Sequence, residues 1–183
     1  MTPVRPDDPG QGTPKKSAGT PGPPTRQPRW GGTVNPSRES IVERVHLALE
    51  DYVRTQHLGR LWTAPMEVVL DHREGIVLRP DIIFVTEGRE SIVSDHAYGP
   101  PDMVLEVTSL PSGPGKEKLE QRVGWCSVYG VREYWLIHPE QREVAILELA
   151  HGGVRRRTLL PETTPLRSPM FPTFERSLAE ILA

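Results

Sequence analysis

One cysteine, Cys126, is all the thiol chemistry in 183 residues. No intramolecular disulfide framework can form, and the pattern fits a reducing, cytoplasmic setting. No apolar run is long enough to cross a bilayer, and mean hydropathy is negative at -0.44. The first residues lack the apolar core of a secretory leader. Positive charge is not in excess either: 22 Lys and Arg face 24 Asp and Glu, for a formal net charge of -2. Any surface suited to nucleic acid therefore has to be local. His46, His57, His72, His96, His138 and His151 show no metal-ligand spacing. Internal repeats, a phosphate-binding glycine loop and a serine nucleophile elbow are all missing. What remains is a soluble protein of one domain, long enough for one substantial core.

Pro, Gly, Thr, Lys and Arg dominate residues 1–34, with almost nothing apolar before Trp30. Such a segment cannot bury enough surface to offset its ordering entropy, so a disordered tail is expected there. Lys15, Lys16, Arg26 and Arg29 make it mildly basic. A domain is expected over 35–183. Asn35 or Ser37 can cap a helix with Pro36 in its first turn, and Ile41, Val45, Leu49 and Tyr52 recur at helical spacing to about Gln56. Glu39, Glu43, His46 and Glu50 share the opposite face, which reads as a solvated stripe. Strands are predicted over 61–62, 67–70, 76–85, 102–108, 133–137, 144–149 and 154–160. A helix is predicted over 116–129, stopped by Gly130, and a short one over 174–182. The run Met103–Val107 is apolar on both faces and is a candidate central strand. Helix, strands, helix, strands, helix describe an α+β, or mixed α/β, domain with one central mixed sheet flanked by helices.

Two carboxylates interrupt the apolar strands. Asp81 follows Pro80 in the run 76–85, and Glu106 lies within 103–107. Charged side chains are seldom buried in strands without a partner. A divalent cation is one such partner, because Mg²⁺ takes oxygen ligands and often uses one or two carboxylates plus waters. The alternative is that both point to solvent or pair with Arg79 and Arg89. Tyr134 and Trp135 alternate within a strand, so at least one belongs to the core. Arg155, Arg156 and Arg157 read more readily as a solvated strand end than as a DNA contact.

Arg79-Pro80-Asp81, then Pro101-Asp102-Met103-Val104-Leu105-Glu106-Val107-Thr108-Ser109, then Tyr129-Gly130-Val131-Arg132-Glu133-Tyr134-Trp135-Leu136-Ile137-His138-Pro139 follow one another in order. This combination resembles the Uma-two family of restriction endonuclease-like proteins, within the PD-(D/E)XK nuclease superfamily. The resemblance runs from about Asn35 to the C-terminus. It implies a restriction endonuclease-like core and a Mg²⁺- or Mn²⁺-dependent endonuclease that hydrolyses phosphodiester bonds in DNA. Asp81 and Glu106 stand at the positions of its metal ligands. The superfamily's Lys, two residues after the second carboxylate, is Thr108 here. The family's substitute Lys, eight residues before the Gly of Gly-Val, is Arg122, and Lys118 lies one helical turn earlier on the same face. Cys126 occupies the place of a usual Tyr.

Arg122 keeps a positive charge but is a poor proton donor, because a guanidinium stays protonated. A second reading therefore stands beside the endonuclease: a catalytically weakened nuclease-fold module that binds nucleic acid or a protein partner without cutting. A third, carried only by the Pro-rich tail, is a protein-interaction domain. DNA is the expected partner and a membrane is not. A homodimer would suit the cutting of two strands, although no motif specifies one.

Overall fold

Ser37 caps the first element of residues 36–183, the part of the chain that the computed structural model describes. The expected tail over 1–34, its basic residues and the alternative cap Asn35 lie outside these residues. The Ser37 hydroxyl accepts the Ser40 N–H at 3.2 Å, satisfying one free donor of the first turn. Helix α1 (Arg38–Thr55) then buries Ile41, Val45, Leu49 and Val53 along one stripe.

The chain continues through β1 (Gly59–Thr63), β2 (Val68–Asp71), β3 (Ile76–Leu78), β4 (Ile82–Thr86), β5 (Ala97–Tyr98) and β6 (Met103–Val107). Helix α2 (Pro114–Tyr129), β7 (Glu133–His138), β8 (Glu143–Ala150), β9 (Gly153–Pro161) and α3 (Leu178–Leu182) complete it. Six strands form the main sheet in the order β1-β4-β6-β7-β8-β9. Only β6 and β7 run parallel in it, and α2 is the crossover that parallel neighbours require. Gly130 ends α2 in the left-handed region (φ 101°), its N–H returning to the Cys126 carbonyl at 3.1 Å. A second sheet, β3-β2-β5, lies beside the first.

The central strands of the main sheet are covered on both faces. On one, Met103, Leu105, Val107, Trp135 and Ile137 pack with α1, α3 and the C-terminal aromatics Phe171 and Phe174. On the other, Val104, Tyr134 and Leu136 pack with Val123 and Cys126 of α2 and with Val68 and Leu78 of the small sheet. Strand β6 is buried at every residue, as a central strand should be. The architecture is the expected mixed α+β one. Among the described residues, no helix is long and apolar enough to cross a membrane.

One expected strand divides. The apolar run 76–85 forms β3 and β4, which belong to different sheets. The break falls at Arg79-Pro80-Asp81, where proline has no N–H to give a ladder and disfavours helical backbone before it. Asp81 is consequently placed at the entrance to β4 and not within a strand.

Candidate active site

The β4–β6 register pairs Ile82 with Leu105, so Asp81 stands just before β4 and beside the Glu106 end of β6. Its backbone N–H donates to the Leu105 carbonyl at 3.1 Å, and its Oδ2 accepts the Val107 N–H at 2.7 Å. Asp81 thus brackets Glu106 by bonding the residue on each side of it. Glu106 alternates with Leu105 and Val107 and so projects toward the α2 face, where Val104 also lies.

Both carboxylates are buried, and each is held by an arginine. The Arg38 guanidinium, from the first residue of α1, donates to Asp81 Oδ1 at 2.8 Å and Oδ2 at 3.0 Å. Arg122, from the middle of α2, donates through Nε to Glu106 Oε1 at 3.2 Å and through Nη2 to Oε2 at 2.7 Å. The Tyr134 hydroxyl completes the set, donating to Glu106 Oε1 at 2.6 Å. Burial pushes the Tyr134 phenol well above its ordinary range, and the neighbouring Glu106 charge and its hydrogen bond push it further. Tyr134 is therefore a fixed donor at neutral pH. Burial opposes the charge of Arg122, but its interactions with Tyr134 and Glu106 outweigh that and raise its pKa. Arg122 offers charge and geometry, not a proton.

An open cleft of about 550 Å³ has Arg38, Arg79, Glu106, Thr108, Arg122 and Trp125 in its lining; Asp81 and Tyr134 are not part of it. Lys118 is exposed and makes no hydrogen bond or ion pair among the described residues; the cation bonded to Glu106 is Arg122. Thr108 lines the cleft without a charge. The two carboxylates do pair with arginines, though not the expected ones: Arg79 bonds Glu67, and Arg89 bonds Asp102 at 2.7 Å. Asp102 is a structural acid, accepting the Thr86 N–H and hydroxyl at 2.9 and 3.0 Å. Both Tyr134 and Trp135 are buried, so neither is a free stacking surface. Cys126 is also buried, its thiol pushed up to about 12 by desolvation and by Glu106. Arg155, Arg156 and Arg157 lie exposed on the edge strand β9, and Arg156 is paired with Glu148.

Two site residues had escaped sequence reasoning. Arg38 meets Asp81 across 43 positions of chain, and an arginine at an exposed helix start gives no sign of that. Tyr134 was legible only as an aromatic on a strand. Its register opposite Val104 sets it on the face of Glu106, two residues away along β6.

Asp81 and Glu106 are the carboxylates that could hold a cation, and both are already bonded to arginine. Each carboxylate accepts three hydrogen bonds, of the roughly four acceptor positions an ionised carboxylate has. Oxygen from two carboxylates, with water filling the other positions, is a Mg²⁺-type environment. Among the described residues, no group of three or more His, Cys, Asp or Glu could hold a metal ion.

A family model described as "Uma2: Putative restriction endonuclease" matches residues 32–179. Among solved structures, a crystal structure described as a "putative nuclease belonging to DUF820", from Anabaena variabilis, superposes with a TM-score of 0.62. The two chains are 15% identical over 79% of each. At that identity the likeness establishes the fold, a restriction endonuclease-like one. A comparison with curated proteins found no match.

Proposed function

Because the chain belongs to the Uma2 family, we propose that it is a divalent-metal-dependent endonuclease that hydrolyses phosphodiester bonds in DNA. The observation that supports this reading is a pair of buried carboxylates, Asp81 bonded to the residues on either side of Glu106, with Glu106 in the lining of a cleft that three arginines also line. Restriction endonuclease-like families generally use divalent metals. Asp81 and Glu106 would hold Mg²⁺ or Mn²⁺, which when bound supplies a Lewis acid and lowers the pKa of a coordinated water.

The chain's own residues do the rest. Val107 N–H and Tyr134 fix the orientation of Asp81 and Glu106, so the carboxylates need no reorganisation when substrate arrives. Arg122, beside Glu106, stabilises the negative charge that builds on the phosphate oxygens as water attacks phosphorus and the ester P–O bond breaks. Arg79 and Thr108 line the same path and can hold flanking phosphates. Among the described residues lining the cleft, no acid protonates the leaving oxygen, because Arg122 keeps its proton; that proton comes from solvent. This predicts a slow enzyme.

Purified full-length protein assayed on supercoiled plasmid with Mg²⁺ or Mn²⁺, beside Asp81→Asn, tests the reading. Nicking by the wild type that falls at least about a hundredfold in the variant supports it. Equal nicking by both removes the proposed site. Salt-dependent DNA binding with no nicking by either protein favours the second reading, a nuclease fold that binds without cutting, for which Arg122 in place of a lysine is the specific support.

A further inference from the structure

The first helix brings a cation to the site, and that cation occupies a carboxylate. Arg38 spans both oxygens of Asp81, yet its own side chain is 58% exposed, against 10% for Asp81. It can leave without opening the core. Asp81 cannot turn away when that happens, because the Val107 N–H still holds Oδ2. Arg122, only 32% exposed and bonded through two nitrogens, is the more firmly seated of the two arginines.

Asp81 and Glu106 bring two negative charges, and Arg38 and Arg122 bring two positive ones. Arg79 is matched separately by Glu67. A dication added alone would leave the site strongly positive against two fixed guanidiniums, and a phosphate added alone would leave it negative. Added together they nearly balance, provided one arginine passes from a carboxylate to the phosphate. Arg38 lines the cleft with Glu106, Thr108 and Arg122, so an anion there is within its reach.

We propose that Arg38 is an exchangeable cation that holds Asp81 in the absence of ligand and transfers to a phosphate oxyanion in the cleft, coupling divalent-metal binding to phosphate binding. This rests on the reading of Asp81 as a metal ligand. The coupling is reciprocal: phosphate relieves the competition at Asp81 and tightens metal binding, and the metal frees Arg38 for phosphate. No covalent step is involved.

The test is the affinity of the full chain for Mn²⁺, measured by isothermal titration calorimetry with and without inorganic phosphate. It compares wild type, Arg38→Met and Arg38→Lys, with thermal melting as a check on folding. Arg38→Met removes the competing charge and keeps most of the stem. It is expected to bind Mn²⁺ about tenfold more tightly than wild type, within the usual range of couplings between sites. Phosphate should raise the wild-type Mn²⁺ affinity by a similar factor and leave Arg38→Met almost unchanged. Arg38→Lys, which keeps the charge on a shorter stem and so reaches Asp81 less well, should fall between. A folded Arg38→Met that binds Mn²⁺ no better than wild type overturns the proposal. So does an equal phosphate effect in both proteins, or an absence of Mn²⁺ binding by either at millimolar concentration. These readouts are separate from plasmid nicking. Coupled binding without cutting would sink the nuclease reading alone, and cutting with uncoupled binding would sink this one alone.

Discussion

The Tyr134 hydroxyl donates to Glu106 at 2.6 Å from inside the core, with the tyrosine fully buried. A hydrogen bond to a buried carboxylate is among the stronger kinds, and the phenol itself is buried. It makes the orientation of Glu106 a property of the packed sheet and not of Arg122 alone.

Tyr134→Phe therefore destabilises the fold while leaving its volume nearly unchanged. The expected loss is about 1–3 kcal/mol, the range for removing a hydrogen bond to a buried charged group. Urea denaturation followed by circular dichroism measures it, and an unchanged midpoint at unchanged slope would mean that Glu106 does not depend on this bond.

How far the sequence revealed this site depends on what each residue's neighbours disclose. The double-sided apolar run at Met103–Val107 could only suit a strand covered on both faces, and β6 lies between β4 and β7. Gly130 marked the end of α2 because a left-handed residue there favours glycine. By contrast, the run 76–85 looks continuous because hydrophobicity does not say which sheet a strand joins; Pro80 was the signal of the break. The Arg38–Asp81 pair was illegible for another reason. Local pattern describes which face a residue occupies, whereas this contact is created by where α1 begins relative to β4, a fact of tertiary packing. Tyr134 falls between the two cases, since its face was readable and its partner was not.

Glu133 offers a pH-dependent test. Its side chain is buried on the α1 face, with Oε2 accepting the Trp135 indole N–H at 2.8 Å and Oε1 the Met170 N–H at 3.0 Å. Desolvation raises its pKa above the ordinary 4.5, more than these donors lower it. The folded state thus favours the protonated acid. Its contribution is fully present below the unfolded pKa and is lost as pH rises through the raised value. Subtracting the Glu133→Gln profile from wild type, in urea unfolding from pH 4 to 8, should reveal that decline. The variant should also be about 1–3 kcal/mol less stable near pH 4.5, because an amide NH₂ must face one of two N–H donors. A flat difference profile would contradict the buried assignment.

Cys126 should be inert in the native state. Its thiol is buried and pushed up to about 12, so almost no thiolate exists at pH 8. Iodoacetamide is expected to label it only at the rate at which the structure opens, and immediately in urea, as read by mass spectrometry. Fast native labelling would show that α2 opens readily over the site or that the thiol is exposed.

Arg122 separates the structural need for a cation from the chemical need for a proton. Arg122→Ala leaves Glu106 buried with one hydrogen-bond donor and no opposing charge. It should cost about 2 kcal/mol, less than the ~3–5 kcal/mol of a fully buried pair because the arginine is 32% exposed. Arg122→Lys keeps the charge, gives up the two-point grip on Glu106, and should cost less. It also introduces an ammonium that can deliver a proton to the departing oxygen, which the guanidinium cannot. General-acid assistance is commonly worth about 10²–10⁴ in rate, and imperfect placement on α2 should still leave a gain of about tenfold in plasmid nicking. Nicking that rises in Arg122→Lys, with Arg122→Ala folded but slower than wild type, would locate the limitation in proton delivery. If the lysine variant cuts no faster while binding DNA equally well, the limitation lies in another group.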